Sequence, residues 1–294
     1  MNVTYLGPAG VTFSAIAYEQ IAERFGFPST SSTSTTLSLA KTNDDVLPLL
    51  VRNRGYGIIA METKAEGRVD PPVHSFINLL RTFDDSTCPF KVALAFQKRI
   101  VFSLLARKGV SMEDLKLIVA HPKALGACAL NIKQLGIPVE ESTSNGQAAE
   151  DVATKEKYAS AGAIAPIQAG EFYKLDVLVN SFEDTEAVTT FFLLKDRDYS
   201  VVVGEYKARS LRTFIVFRVD NSTGVLVKVL SPFAWAGINL RSIHSSYFSD
   251  GAYDFAIEME CKYEEFAKLE DAISVAECYM NKYIRFGPYP VFAE

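Results

Sequence analysis

Two adjacent hydroxyl side chains, Thr189 and Thr190, lie where an acidic segment gives way to an apolar one. The acidic segment spans residues 183–186. The apolar run of residues 191–194 contains neither Gly nor Pro, which predicts a buried strand. Ligands of open α/β sheets gather at the ends of strands, so these hydroxyls could form hydrogen bonds to a bound molecule. Thr also has a high propensity for β-structure, and the alternative interpretation is that both residues simply begin a strand.

A second group of polar residues lies in the segment 6–14, Leu-Gly-Pro-Ala-Gly-Val-Thr-Phe-Ser. It follows a short predicted strand, contains a Gly-Pro turn, and precedes a helix that begins near Thr12 or Ser14. A helix that starts after such a turn offers backbone N–H groups to an anion. Thr12 or Ser14 could cap the helix, contact a ligand, or do both. The spacing of the glycines excludes a P-loop and a dinucleotide-binding fingerprint.

The overall composition is that of an ordinary soluble protein, with 48% hydrophobic and 22% charged residues. The formal charge of -5 provides no basic surface, so nucleic acid is an unexpected partner. The four cysteines lie far apart without the spacing of zinc ligands, which argues against a structural metal and favours a reducing compartment. We expect a cytoplasmic protein without a signal peptide or a membrane-spanning segment.

A chain of 294 residues should hold two or three compact units. Strands and helices alternate up to residue 194, which predicts an α/β sandwich, and the polar strand ends suggest two lobes. The first lobe would span about 1–80 and 178–198 and the second about 81–177, followed by a linker at 199–208. Residues 209–294 then show the order β-α-β-β-α-β of a ferredoxin-like unit, with a last strand at 283–286.

Two segments near the amino terminus are similar to conserved motifs of one enzyme family. Segment 6–14 is similar to the motif Gly-Pro-x-Gly-Thr-Phe-Ser, with Val11 as an additional residue. Glu62 and residues 66–69 are similar to the motif Glu-Asn-Ser-x-x-Gly-x-Val, with Thr63 and Lys64 in place of its Asn and Ser.

Two later segments match motifs of the same family in the same order. Residues 121–125 and Cys128 are similar to Ser-His-Pro-Gln-Ala-Leu-x-x-Cys, and residues 189–191 align with Thr-Arg-Phe. Each motif is weak alone. Their order and spacing over nearly the whole chain resemble the prephenate dehydratase family, which carries a C-terminal ACT regulatory domain.

The resemblance implies a bilobal three-layer α/β catalytic region, with lobes like those of periplasmic binding proteins, followed by a ferredoxin-like ACT domain. The family converts prephenate to phenylpyruvate, and aromatisation drives the reaction, so no metal or organic cofactor is expected. The resemblance places Thr189 nearest the chemistry. It implies these substrate-binding residues: Thr12, Ser14, Glu62, Thr63, Lys64, Ser144, Asn145, Thr190 and Phe191.

The C-terminal segment resembles the family's phenylalanine-binding region. Residues 224–226 are similar to its Gly-Ala-Leu turn, and residues 237–240 to the stretch before its Glu-Ser-Arg-Pro motif, which residues 244–247 replace by His-Ser-Ser-Tyr. The resemblance implies regulation by phenylalanine at a subunit interface of a homodimer or a dimer of dimers. A domain that only dimerises is the alternative. The implied effector residues are Gly224, Val225, Leu226, Asn239, Leu240 and Ser245.

Several polar positions depart from the family pattern. Thr190 stands where the family has an Arg, which would remove a bidentate carboxylate anchor. Phe102 falls where a His is often found, and residues 144–146 replace Ser-Thr-Ala by Ser-Asn-Gly. Lys64 could restore the positive charge, or it could be a surface lysine paired with Glu66. These departures leave two alternatives beside the dehydratase: a non-aromatising prephenate decarboxylase, and a non-catalytic ligand-binding or sensing protein.

Overall fold

The computed structural model describes residues 1–63, 67–68, 70–198, 208, 210–249 and 251–294. Within them the chain forms a mixed α/β protein with two sheets, which confirms that part of the prediction. The strands are β1 Asn2–Leu6, β2 Thr36–Ala40, β3 Tyr56–Thr63, β4 Gly67–Arg68, β5 Phe90–Ile100, β6 Ser103–Ala106, β7 Leu117–Ala120, β8 Val139–Glu141, β9 Ala161–Ala165, β10 Asp176–Val179, β11 Ala187–Asp196, β12 Ser210–Asp220, β13 Asn239–Ser249, β14 Ala252–Cys261 and β15 Lys282–Ala293. The helices are α1 Phe13–Phe25, α2 Val46–Asn53, α3 Asp70–Asn78, α4 Pro122–Ala127, α5 Ala129–Leu135, α6 Asn145–Thr154, α7 Ile167–Tyr173, α8 Val225–Trp235 and α9 Phe266–Glu277.

The larger sheet joins the first and last parts of the chain. Its order among the described residues is β13-β14-β12-β15-β5-β11-β3-β1-β2, with β4 paired to β3. The smaller sheet has the order β10-β6-β9-β7-β8. Strand β11 lies antiparallel between β3 and β5, so residues 187–196 form a central strand of the larger sheet. The apolar run that the sequence predicts to be a buried strand is therefore in the sheet interior.

The C-terminal part follows the chain order β12-α8-β13-β14-α9-β15. Its two helices contact each other and cover one face of its strands, where Ile215, Phe217, Ile257 and Leu269 are buried together. Strand β13 lies at the edge of the larger sheet.

Two features differ from the predicted element boundaries. Strand β5 was expected in the second lobe, but it lies in the larger sheet because it pairs with β11 from Phe90 to Ile100. Strand β15 was expected to end at Phe286, but it continues to Ala293 and pairs in parallel with β5, with Val291 opposite Ala95. The C-terminal unit and the first lobe therefore share one continuous sheet.

Helix α3 contributes the centre of an aromatic cluster below this sheet. The side chain of Phe76 is fully buried, and its ring lies 5.0 Å from that of Phe286 and 5.3 Å from that of Phe214.

We expect Phe76→Ala to lower the free energy of unfolding by about 3–5 kcal/mol in urea denaturation, because it leaves a cavity among rings that cannot collapse. The control Phe172→Ala, at an exposed ring, should change it by about 0.5 kcal/mol or less. Equal losses in both variants would contradict this packing.

Candidate active site

A cleft of about 400 Å³ lies where the ends of β1, β5 and β11 meet the starts of α1, α4 and α6. Its apolar wall includes Leu6, Ile100, Ala187 and Phe191, which can hold a carbon ring. Its polar wall consists mainly of hydroxyl and amide side chains, namely Thr12, Ser14, Thr42, Asn43, Ser142, Thr143, Ser144, Asn145, Thr185 and Thr189. The cleft is therefore an apolar slot edged mainly by neutral hydrogen-bonding groups, with Asp44 and Lys123 as charged members of its wall.

Thr189 lines this cleft from β11, together with Phe191. Its side chain is only 6% exposed, so a hydrogen bond from its hydroxyl would act in a largely desolvated site. Thr190 lies between these two residues but lines a second pocket on the other face of the sheet. The reason is the alternation of side chains along a strand. The expectation that Thr190 contacts the same ligand as Thr189 therefore needs correction.

Of the predicted residues in the Glu62 segment, Glu62 itself lies outside the cleft. Glu62 lies opposite Thr190 in the β3–β11 register, and its side chain lines the second pocket. The backbone of Thr63 pairs with that of Thr189. Lys64 lies outside the described residues, as does its possible partner Glu66.

Thr12 is the N-cap of α1. Its hydroxyl accepts a hydrogen bond from the backbone N–H of Ala15 at 3.2 Å and donates one to the carbonyl oxygen of Leu6 at 2.8 Å. These bonds fix the turn before the helix, which is the capping role considered from the sequence. Thr12 and the buried Ser14 also line the cleft, so capping and access to a ligand coexist here.

The start of α6 is hydrogen-bonded to the turn that precedes α1. The Ser144 hydroxyl accepts a hydrogen bond from the Gln147 N–H at 3.0 Å and donates one to the carbonyl oxygen of Gly7 at 3.1 Å. The next residue, Asn145, accepts a hydrogen bond from the backbone N–H of His121 at 3.0 Å. A Cβ atom at Gly146 would lie 2.9 Å from Thr12 Cγ2, which explains a glycine at this close approach.

Lys123 is a cleft residue that the motif comparison missed. It follows Pro122 in the first turn of α4, and its backbone N–H donates to Nδ1 of His121 at 3.3 Å. Among the described residues of the cleft wall, Lys123 is the one lysine or arginine. The signal was present in the sequence, because Lys123 stands where the family motif has a Gln.

Asn43 and Asp44 were also missed. They lie in a short 3-10 helix, Asn43–Asp45, that follows β2 and borders the cleft. The Asp44 carboxylate accepts a hydrogen bond from the Ser75 hydroxyl at 3.0 Å. The Asn43 Oδ1 atom is buried and has no hydrogen-bond partner among the residues that the structure describes. The two residues together present acceptor oxygens to the cleft.

Phe102 occupies the position where the family often has a His. Its ring packs edge-to-face against that of Phe13, with centroids 5.2 Å apart, and both rings line the cleft. The substitution therefore replaces a titratable group by apolar surface.

The six predicted effector residues all belong to the C-terminal unit. Gly224, with φ of 77°, precedes α8, and the half-buried Val225 and Leu226 begin it. Asn239, Leu240 and Ser245 lie on β13, which contacts α8.

The described residues contain no group of three or more His, Cys, Asp or Glu side chains placed to hold a metal ion. A search of the same part of the chain finds no helix long and apolar enough to cross a membrane.

Comparison with known proteins identifies the family. The model of the prephenate dehydratase family matches residues 3–199. The prephenate dehydratase of Methanocaldococcus jannaschii is 30% identical over 245 residues, which cover 82% of this chain and 84% of that protein. Arogenate dehydratase 2 of Petunia hybrida is 37% identical over 142 residues, but these cover 48% of this chain and only 35% of that protein. The chain therefore belongs to the prephenate dehydratase family.

Solved structures show the same fold over the whole chain. A prephenate dehydratase from Arthrobacter aurescens in complex with L-Phe has a TM-score of 0.77 at 22% identity, covering 99% of this chain and 90% of that one. GqqA, described as a quorum quenching acylase, has a TM-score of 0.75 at 22% identity, covering 99% and 98% of the two chains. At this identity the likeness establishes the fold, and the activity has to be argued from the cleft.

Proposed function

We propose that the cleft converts prephenate to phenylpyruvate, carbon dioxide and water. The bond between the ring and its carboxylate breaks and releases carbon dioxide, and its electron pair enters the ring. The carbon–oxygen bond at the opposite ring position breaks, and the departing hydroxyl takes a proton from solvent and leaves as water. Aromatisation drives both cleavages, and the reaction needs no oxidant or reductant. The protein has to bind two carboxylates and assist the leaving hydroxyl.

The observation that carries this proposal is the position of Thr189. Its buried hydroxyl shares one cleft with the starts of α1 and α6 and with Lys123. Helix N-termini and a lysine are suitable partners for carboxylates, and the apolar wall suits the ring. A threonine hydroxyl is a poor acid, so we assign Thr189 an oriented hydrogen bond to the leaving oxygen rather than full proton donation.

The test is to incubate the purified protein with prephenate and identify the products. Phenylpyruvate is the expected product. A dihydro-hydroxyphenylpyruvate would instead indicate the non-aromatising decarboxylase, and absence of turnover would indicate the ligand-binding alternative.

Arogenate is a second candidate substrate, in which an amino group replaces the side-chain ketone of prephenate. The Asn43 Oδ1 atom without a partner and the Asp44 carboxylate favour it, because both can accept hydrogen bonds from an ammonium group. The likeness to the Petunia arogenate dehydratase supports the same class.

We expect Asp44→Asn to raise KM for arogenate about tenfold while KM for prephenate changes little, because the variant loses a charge-assisted hydrogen bond to the ammonium only. Steady-state kinetics with both substrates measures the ratio. Asp271→Asn, at an exposed site on α9, is the matched control and should change neither KM. An equal effect of Asp44→Asn on both substrates would contradict this assignment.

We also propose the domain assignment and the regulation. Residues 1–198 would form the catalytic region, residues 199–208 the linker, most of which lies outside the described residues, and residues 209–294 an ACT domain. The chain order of the C-terminal unit and the strand order β13-β14-β12-β15 support a ferredoxin-like ACT domain. The exposed edge of β13 supports edge-to-edge pairing in a homodimer or a dimer of dimers.

We expect calorimetry to detect phenylalanine binding to the full chain, and Asn239→Ala to weaken it about tenfold, because the resemblance implies that this side chain contacts the effector and the variant removes its hydrogen-bonding amide. Asn221→Ala, in an exposed turn of the same unit, is the control and should bind as the wild type does. Absence of binding to the wild type would favour a domain that only dimerises, which light scattering can measure in the same samples.

A further inference from the structure

A second pocket of about 390 Å³ lies behind the catalytic cleft, on the opposite face of β11. Its wall combines residues from both parts of the continuous sheet. Thr190 and Arg99 come from β11 and β5, whereas Arg212 and Arg241 come from β12 and β13 of the C-terminal unit. The pocket thus lies at the seam between the two parts. Glu62 and Thr190 in its wall stand at family-motif positions, but the proposed reaction does not use this pocket.

Arg212 is the buried cation of this pocket, with 3% of its surface exposed. Its Nε donates to the Glu260 carboxylate at 3.2 Å. Its Nη1 lies 4.0 Å from the nearest Glu258 oxygen, beyond hydrogen-bond range, and has no acceptor among the described residues. A buried guanidinium with an unused donor is an unfavourable arrangement that an acceptor from a ligand would relieve after a small side-chain adjustment.

The acidic side chains around Arg212 form hydrogen bonds or ion pairs with other residues. Glu258 accepts a hydrogen bond from the Tyr289 hydroxyl at 2.7 Å, and Glu260 accepts one from Arg241 at 2.8 Å. Burial disfavours the charged form of Glu260, but the hydrogen bond from Ser210 and the two arginines outweigh it and lower the pKa of this carboxyl. Glu62 pairs with Arg241 at 3.4 Å.

Arg99 is a second cation in the wall of this pocket, and its ion pair with Glu186 is weak. Its guanidinium contacts Glu186 at 3.8 Å, and both side chains are more than half exposed, so this pair contributes little. The neutral side chains of Thr190 and Gln97 also line this pocket, as does Glu294. The Glu294 carboxylate accepts hydrogen bonds from Lys98 Nζ at 2.7 Å and from the backbone N–H of Arg99 at 3.2 Å, so this acid too has other partners. From this arrangement we infer that the second pocket binds a small anion bearing carboxylate groups, held between Arg99 and Arg212. Guanidinium groups match the planar geometry of a carboxylate.

A ligand bound in the second pocket would contact strands whose other residues line the cleft. Thr190 and Glu62 pair across β11 and β3, one register step from the pair Thr189 and Thr63. A bound anion would therefore contact the back of the strand that positions Thr189, and also two arginines of the C-terminal unit. The inference concerns binding and does not depend on the proposed reaction.

Isothermal titration of the full chain with citrate, a compact tricarboxylate, tests the site. We expect a Kd of about 1 mM or tighter for the wild type. Arg99→Gln should weaken citrate binding about tenfold, because it removes one charged donor from an exposed position without disturbing the core. Arg52→Gln, an exposed arginine of α2 outside both pockets, should bind as the wild type does.

A third variant separates this pocket from the cleft. Lys123→Met removes the one lysine or arginine in the described part of the cleft wall and should leave citrate binding unchanged if the anion occupies the second pocket. Loss of citrate binding in Lys123→Met, unchanged binding in Arg99→Gln, or no binding to the wild type at about 10 mM citrate would each overturn the inference.

Discussion

Thr189→Val is expected to lower kcat for prephenate by about a hundredfold to a thousandfold, as measured by phenylpyruvate formation. Valine keeps the branched shape of threonine on β11, so the strand and its packing should persist. What it removes is the hydroxyl that donates to the leaving oxygen as carbon–oxygen cleavage proceeds. Because that bond strengthens as charge develops on the oxygen, the loss should appear in kcat more than in KM.

The matched control is Thr4→Val. Thr4 is fully buried on β1 of the same sheet, lines neither pocket, and has a hydroxyl without a hydrogen bond among the described residues. The same substitution there should leave kcat close to the wild-type value. If Thr189→Val retained more than about a tenth of kcat, Thr189 would not be the residue nearest the chemistry.

Lys123→Met should raise KM for prephenate about tenfold to a hundredfold with a small change in kcat. A charge-assisted hydrogen bond to a substrate carboxylate contributes about 1.5–3 kcal/mol, and the lysine would make it in the ground state and the transition state alike. Such uniform binding affects KM rather than the chemical step. Steady-state kinetics at constant ionic strength measures the effect.

Three further variants define the role of Lys123. Lys123→Arg keeps the charge and should retain most of the affinity, whereas Lys133→Met, on the exposed side of α5, should behave as the wild type. Lys64→Met separates the two candidate cations. An unchanged KM in Lys123→Met together with a raised KM in Lys64→Met would assign the carboxylate contact to Lys64 instead.

The motifs predicted which segments meet in the cleft better than which side chains face it. Thr12, Ser14, Ser144 and Asn145 lie together with Thr189, although their roles remain predictions. Thr190 was grouped with its neighbour because the motif treats three consecutive residues as a unit. A strand points such neighbours to opposite faces, so the local period carried information that the motif comparison did not use.

Other features of the site could not be read from local pattern. Asn43 and Asp44 reach the cleft because the short strand before them, β2, pairs with β1, with Leu6 opposite Ala40. That pairing is a tertiary contact. Lys123 differs, because its replacement of a motif Gln was visible in the sequence, but its relevance became clear only once α4 was seen to start at the cleft.

Local sequence pattern also failed to predict that the larger sheet continues into the C-terminal unit. The alternation of elements predicted the strands, but periodicity does not say which strands become neighbours. The extension of β15 to Ala293 was missed because Gly287, Pro288 and Pro290 normally interrupt a strand. Gly287 and Pro288 fall at an irregular step in the pairing with β12, between Arg212 and Phe214, whereas Pro290 stays in register opposite Leu211.

The most direct test of the proposed activity is the stoichiometry of products from prephenate in a single incubation. Dehydration coupled to decarboxylation predicts one phenylpyruvate for each carbon dioxide released in the wild type, with both products reduced in parallel in Thr189→Val. Release of carbon dioxide without phenylpyruvate, or no consumption of prephenate, would contradict the assignment of this cleft as a prephenate dehydratase site.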